Sequence, residues 1–161
     1  PALRHVGGGA AIRRPSGEGY EYAFLYATVP GRQTVPRAEL HTAVQVLKRT
    51  PNHAVPPTLY IDASYVTKGC ANGWGDKGGT NDDLWKEYWS LRARRGPVAN
   101  VVKTKAHVED LEEMIERCTT EEELVLNDAA DTAAGIAAKW ASPPNLSKQS
   151  WTSTTARRAE W

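Results

Sequence analysis

Three carboxylates in this chain stand where a carboxylate can do more than solvate a surface. Asp62 follows Thr58–Ile61, a short β-rich apolar run, and so falls where a buried strand gives out. Glu39 lies between Ala38 and Leu40, near the start of a helical pattern, and Asp131 lies one turn after Asn127 in an alanine-rich stretch. In open α/β sheets, ligands gather at the carboxyl ends of the strands. Convergent oxygen ligands from three elements are what Mg²⁺ asks for, and without a cation such a cluster would repel itself and raise its own pKa values. Taken singly, each has an ordinary structural explanation. Glu39 can be an acid favoured by a helix start, Asp62 a strand-end cap, and Asp131 a solvated helix residue.

The elements that must position them are legible in the spacing. Ala10–Arg13 and Tyr20–Val29 read as two strands, the second with Tyr22, Phe24 and Tyr26 on one face, and Pro15–Gly19 has turn composition. Gly7-Gly8-Gly9 lacks the preceding strand and the following Lys-Ser/Thr of a phosphate loop, so it reads as flexibility where the first strand begins. Thr34 as cap, Pro36 in the first turn, and Leu40, Ala43, Val44 and Leu47 at helical spacing predict a helix that Pro51, Pro56 and Pro57 end. Thr58–Ile61 follows as a strand, residues 70–80 as a glycine-rich loop, and Asn81 as the cap of a helix with Leu84, Trp85, Tyr88 and Leu91 inward. Val98–Lys103 is a further strand, Leu111–Cys118 a short amphipathic segment, and Asn127–Trp140 a helix with Ala130, Ala133, Ala134 and Ala137 along one stripe. The order predicts a mixed α/β domain over residues 1–141. Residues 142–161 read as a polar tail or linker.

Composition narrows the class. A chain of 161 residues is enough for one domain with a real core. No apolar run approaches a membrane span, and no signal-peptide pattern is present. The two cysteines, Cys70 and Cys118, have neither disulfide-framework nor zinc-site spacing, so an intracellular compartment, cytoplasm or nucleus, is the expectation. Net charge is +1, but it is unevenly spread. Eight of the 19 acids and one of the 20 bases lie in residues 109–123, which leaves an excess of eight positives elsewhere. That remainder suits a phosphate-binding surface, while the acidic run equally fits a solvated helical face.

Five segments, in order, resemble the ribonuclease H family over residues 9 to about 140. Thr34-Val35-Pro36-Arg37-Ala38-Glu39-Leu40 resembles the threonine-led turn into a helix that bears a glutamate. Tyr60-Ile61-Asp62-Ala63-Ser64-Tyr65-Val66, closed by Gly69, is similar to the family's strand-end motif. Asn81-Asp82-Asp83-Leu84-Trp85 resembles its Asn-x-x-Leu-Trp helix start, Lys105-Ala106-His107 its histidine loop, and Asn127-Asp128-Ala129-Ala130-Asp131 its closing helix motif. The resemblance implies a ribonuclease H-like mixed sheet flanked by helices, and hydrolysis of the RNA strand of RNA–DNA hybrids.

It also implies roles. Glu39, Asp62 and Asp131 would hold two Mg²⁺ ions, with Mn²⁺ able to substitute, and His107 would carry protons near the leaving group. Ions about 3.5–4 Å apart would clamp the attacking water and the leaving oxygen, giving 5′-phosphate and 3′-hydroxyl ends. Thr34, Arg37, Tyr65 and Asn127 would contact the hybrid, whose recognition rests on backbone shape and 2′-hydroxyls. Trp85 and Tyr88 belong to the core. The partners implied are an RNA–DNA hybrid and the other domains of a larger polyprotein, such as that of a retroelement, with no membrane.

The sequence departs from the family in one place that matters. The family carries a fourth carboxylate on an opening strand, and no aspartate precedes Asp62 here. The expectation is that the strand and its aspartate lie upstream of Pro1; without them, neighbouring strands expose unpaired backbone groups. Pro36 and Ala63 replace an amide and a serine, and the short Gly69–Asn81 connection leaves no basic protrusion. A catalytically inactive hybrid-binding or protein-binding module is the second reading. An unrelated α/β interaction domain is the third; it requires all five ordered motifs to be accidents, and Glu39, Asp62 and Asp131 lying far apart would support it.

Overall fold

The computed structural model describes residues 5–16, 18–50, 58–61, 63–75, 79–94, 100–103 and 120–141. The short amphipathic segment 111–118 and the expected tail 142–161 lie outside them. The chain opens with a long hairpin, β1 (Gly7–Ser16) and β2 (Gly19–Thr28), antiparallel in register from Gly7↔Thr28 to Ser16↔Gly19. Helix α1 (Val35–Arg49) follows, then β3 (Thr58–Ile61), α2 (Ser64–Asn72), α3 (Asp82–Arg94), β4 (Asn100–Lys103) and α4 (Glu121–Ala141). Strand β4 lies parallel to β3, from Thr58↔Asn100 to Ile61↔Lys103.

The α/β class stands, but the strands do not make one mixed sheet. Among the described residues they form two ribbons, β1–β2 and β3–β4. No described strand lies between the ribbons to hydrogen-bond both. What unites them is apolar burial under α1, whose Leu40, Val44 and Leu47 are wholly buried. These pack with Leu25 of β2, Leu59 and Ile61 of β3, Val66 of α2, and Leu84, Trp85 and Tyr88 of α3. The expected core places of Trp85 and Tyr88 hold.

The hairpin is covered on both faces. Leu25 and Ala27 of β2 are buried, while Tyr20, Tyr22, Phe24 and Tyr26 share the other face and are 42–54% exposed. On that face α4 crosses the hairpin. Tyr26 packs on Trp140 with ring centroids 5.7 Å apart, and Tyr22 and Arg13 both bond Glu122. The glycine run is what lets α4 in. A Cβ on Gly9 would strike the Ala130 carbonyl and the Ala134 amide, and one on Gly7 would stand 2.7 Å from Ala137 Cβ. Gly8 points the other way, and a Cβ there would lie 3.3 Å from the Ala38 carbonyl of α1. The run is therefore the inside of β1, packed between two helices, and not loose chain at its start.

Two elements differ from the sequence reading. Helix α2 occupies residues read as strand end and loop, and it stops at Gly73, whose φ of +63° is a left-handed terminus. Helix α4 begins six residues before Asn127, so the acids Glu121–Glu123, the end of the acidic run, form its first turn. Thr120 and Glu123 close a reciprocal box there: the Thr120 amide donates to Glu123 Oε2 at 3.0 Å, and the Glu123 amide donates to Thr120 Oγ1 at 3.2 Å. Acids at a helix start also answer the macrodipole.

His41 is buried on α1, with Nε2 3.1 Å from Gln45 Nε2 and Nδ1 without a hydrogen-bond partner among the described residues. Burial lowers its pKa, and the nearby Lys48 and Arg37 charges lower it further. Below the ordinary histidine range the unfolded chain therefore takes up a proton that the folded chain resists. Stability should be full above about pH 6.5 and fall as pH drops below it. Urea midpoints compared from about pH 7.5 to about pH 5.5 should show this loss, and His41→Leu should flatten it. A Gly9→Ala change should cost about 1–3 kcal/mol in the same assay, because backbone atoms cannot step aside. Gly19→Ala, which meets nothing within 4 Å, serves as its control.

Candidate active site

Glu39 sits half-buried in α1, two residues past Arg37, and Asp131 sits exposed on α4. The two helices lie on opposite faces of the hairpin, yet they approach the same step of β1. Ala38, next to Glu39, abuts Gly8, and Ala130, next to Asp131, abuts Gly9. The backbones bearing the two acids thus flank one point of the strand. The third expected ligand, Asp62, lies outside the described residues, as does His107. Among the described residues no group of three or more His, Cys, Asp or Glu forms a metal cluster.

The end of the β3–β4 ribbon, just before and after position 62, is described. Ile61 pairs with Lys103, and Lys103 Nζ donates to Ser64 Oγ at 2.7 Å. A lysine ammonium is therefore held on the start of α2 at the end of the β3–β4 ribbon. All three expected ligands are carboxylates, and an all-oxygen donor set fits Mg²⁺ or Mn²⁺ better than a soft metal.

Arg37 and Tyr65 are placed differently from a substrate-contacting pair. Arg37 is 9% exposed. Its Nε donates to the Pro30 carbonyl at 2.7 Å, its Nη1 to Asp83 Oδ1 at 2.9 Å and Asn81 Oδ1 at 3.1 Å, and its Nη2 to Asp83 Oδ2 at 2.6 Å. The fork-to-fork pair holds the Asp83 carboxyl below its ordinary pKa and the guanidinium above its own. Tyr65 is equally committed. Its hydroxyl donates to the Thr80 carbonyl at 2.8 Å and accepts from Asn81 Nδ2 at 3.2 Å and Trp85 Nε1 at 3.1 Å. Its ring packs edge-on to Trp74, with centroids 5.2 Å apart. Both side chains thus belong to one hydrogen-bonded network that joins α1, α2 and the start of α3.

Thr34 occupies the N-cap position of α1, but its side chain makes no cap hydrogen bond and remains exposed. Its carbonyl accepts from the Ala38 amide at 3.0 Å. Asn127 is half-buried on α4. Asn81, Asp83 and the Lys103–Ser64 pair were not singled out as contacts in the sequence. Asn81 lies on the helix boundary, where it was read only as a cap. Here it adopts φ +66° and bridges Arg37 to Tyr65.

No protein-family model and no curated protein sequence matches this chain. Among solved structures it is similar to the PFV RNase H domain, with a TM-score of 0.58 over 87% of this chain and 97% of that domain, at 16% identity. The chain has an RNase H-like fold. It is also similar to the protease–reverse transcriptase of prototype foamy virus, with a TM-score of 0.51 and 17% identity. That match covers 83% of this chain and 20% of the larger protein. No described helix of this RNase H-like domain is long and apolar enough to cross a membrane.

The commitments of Arg37 have a measurable consequence. Arg37→Ala removes a near-buried cation with four hydrogen bonds and should lower unfolding stability by about 2–3 kcal/mol. Affinity of the folded variant for an RNA–DNA hybrid, measured by fluorescence anisotropy, should stay within about threefold of wild type. A phosphate-contacting arginine would instead cost affinity and reduce its salt dependence.

Proposed function

We propose that this chain is the nuclease module of a retroelement-type polyprotein and cuts the RNA strand of RNA–DNA hybrids with Mg²⁺. The observation that carries the reading is the approach of Glu39 and Asp131 to one step of β1 from opposite faces, in an RNase H-like fold. Asp62 follows the β3 strand end and supplies the third carboxylate. Bound Mg²⁺ would activate water and stabilise charge on the departing oxygen.

The chain's own residues have distinct tasks in this reading. Glu39, Asp62 and Asp131 hold the ions, and their mutual repulsion is relieved only when cations are present. Lys103, fixed on Ser64, offers positive charge beside that cluster for a backbone phosphate. Thr34, exposed where α1 begins, and Asn127, one turn before Asp131 on α4, contact the hybrid backbone. His107 moves a proton at the leaving 3′ oxygen.

One observation favours the second reading, a binding module without catalysis. The β1–β2 and β3–β4 ribbons share no hydrogen bonds with each other among the described residues. A strand inserted between β1 and β3, bearing a fourth carboxylate, would complete both sheet and site. The test compares this chain with the same chain extended at its N-terminus by a strand that carries an aspartate. Each is given labelled RNA–DNA hybrid in Mg²⁺. Cleavage leaving 5′-phosphate ends is expected, and Glu39→Gln or Asp62→Asn should lower the rate by about a thousandfold or more. Folded protein of both lengths that binds hybrid and cuts nothing would replace the nuclease reading with the binding one.

A further inference from the structure

Strand β2 is an edge of its ribbon. Among the described residues it pairs with β1 alone, so the other side of its ten-residue backbone offers unpaired amides and carbonyls. Proteins ordinarily blunt such an edge with proline, a bulge or clustered charge. Here the β1–β2 register runs through without a bulge, and Gly19–Thr28 holds no proline and a single charged residue, Glu21. Tyr20, Tyr22, Phe24 and Tyr26 share one face of the strand, each at least 42% exposed. Helix α4 rises beside them as one wall of a groove, to which it brings the exposed Val125. Among the described residues the opposite wall is missing.

The surface that fits this face best is the same face on a second copy. The aromatic positions are symmetric about Phe24. Two β2 strands laid antiparallel with their dyad at Phe24 set Tyr22 opposite Tyr26 of the partner subunit, and all the rings stay on one face. The charges agree with that orientation. Glu122, which accepts from the Tyr22 hydroxyl at 3.1 Å, and the exposed Glu121 mark one end of the groove. The exposed Lys139 marks the other, next to Trp140, which packs on Tyr26. Antiparallel pairing turns the acidic end of one α4 toward the Lys139 end of the other. Because α4 lies over Gly7 and Gly9 of β1, the two helices would stand about three strand spacings, or about 14 Å, apart. Bare helices pack closer than that, and the rings of both β2 strands fill the difference. Glu121 and Glu122 set the face against a phosphate backbone, so the aromatic row does not suit nucleic acid.

We propose that β2 is the pairing edge of a two-fold symmetric dimer, in which two copies of this chain share one antiparallel sheet ordered β1–β2–β2–β1 with both α4 helices on its aromatic face. The contact is isologous and closes on itself, because it consumes the β2 edge of both copies. It buries rings that are half exposed in a single copy. The proposal stands on the hairpin and α4 alone and does not depend on the nuclease reading.

The test is sedimentation equilibrium of the full chain over a concentration series from micromolar to submillimolar, with a thermal melt of each variant to confirm folding. The mass should rise from 17.7 kDa toward twice that value. Phe24→Lys sets like charges against each other at the dyad and should hold the chain monomeric throughout. Tyr60→Lys, which changes an exposed aromatic residue on β3, should leave the dimer intact. Glu121→Lys and Lys139→Glu should each weaken association about tenfold, since the symmetry repeats the pair, and the double variant should recover it. If Phe24→Lys does not fold, the charge exchange decides alone. A wild-type chain that stays monomeric at every concentration overturns the proposal, as does a dimer that Phe24→Lys leaves intact. A double variant no tighter than either single one overturns the antiparallel orientation, and growth past two copies overturns the closed pairing.

Discussion

The approach of α4 to the β1–β2 hairpin depends on the absence of side chains. At Gly7 and Gly9 the strand offers bare backbone, and the helix answers with Ala130, Ala133, Ala134 and Ala137. Two small surfaces meet at a distance that any Cβ on the strand would forbid. Close packing of this kind is unforgiving because interiors have few voids and backbone atoms cannot change rotamer. Gly8, between them, grants α1 the same intimacy from the other face. A run of three glycines would ordinarily weaken a strand. Here it thins the central layer so that a helix packs closely on each face, α1 carrying Glu39 and α4 carrying Asp131.

A thin strand has a cost in cohesion that helices must offset. Glycine contributes no side chain to the core, and β1 is hydrogen-bonded to β2 alone among the described residues. Burial under α1 compensates, since its Leu40, Val44 and Leu47 touch residues of both ribbons and of α3. The aromatic residues of β2 do not join that core. Tyr22 and Phe24 line a groove with Val125, Leu126 and Ala129 of α4, and they remain half exposed. The hairpin thus has one aliphatic face and one aromatic face, and only the first is fully dry.

How much of this was legible in the sequence differs by element, for physical reasons. Helix α1 announced itself because its apolar residues repeat at helical spacing and prolines follow it; Leu40, Ala43, Val44 and Leu47 are all buried, with Arg37, Ala38, His41, Thr42 and Val46 buried beside them. Helix α2 did not, because Ser64–Asn72 has only nine residues, two of them β-branched and one a glycine. Its helicity comes from tertiary contact, with Gly69 lying against the Trp85 indole. The start of α4 was readable in Thr120-Glu121-Glu122-Glu123, a capping box overlooked because the acids looked like a charge run. Of the site, the places of Glu39 and Asp131 on their helices were legible and their approach to one strand step was not. That approach depends on glycines whose significance appears only when a helix sits on each face.

Arg37 shows where reading by residue type misleads. An arginine beside a glutamate at a helix start looks like a phosphate ligand, and nothing in the local sequence says that Asp83, 46 positions later, will claim it. Burial decided the matter. A guanidinium taken almost wholly out of water must satisfy its donors within the protein, and Pro30, Asn81 and Asp83 do so. Those bonds join the start of α1 to the start of α3. In a domain whose two ribbons lack a shared hydrogen-bonded strand, that is a substantial role. The sheet of an α/β fold ordinarily sets the distances between strand-end carboxylates. Among the described residues no strand joins the two ribbons, and the Arg37–Asn81–Tyr65 bonds link the heads of α1, α2 and α3.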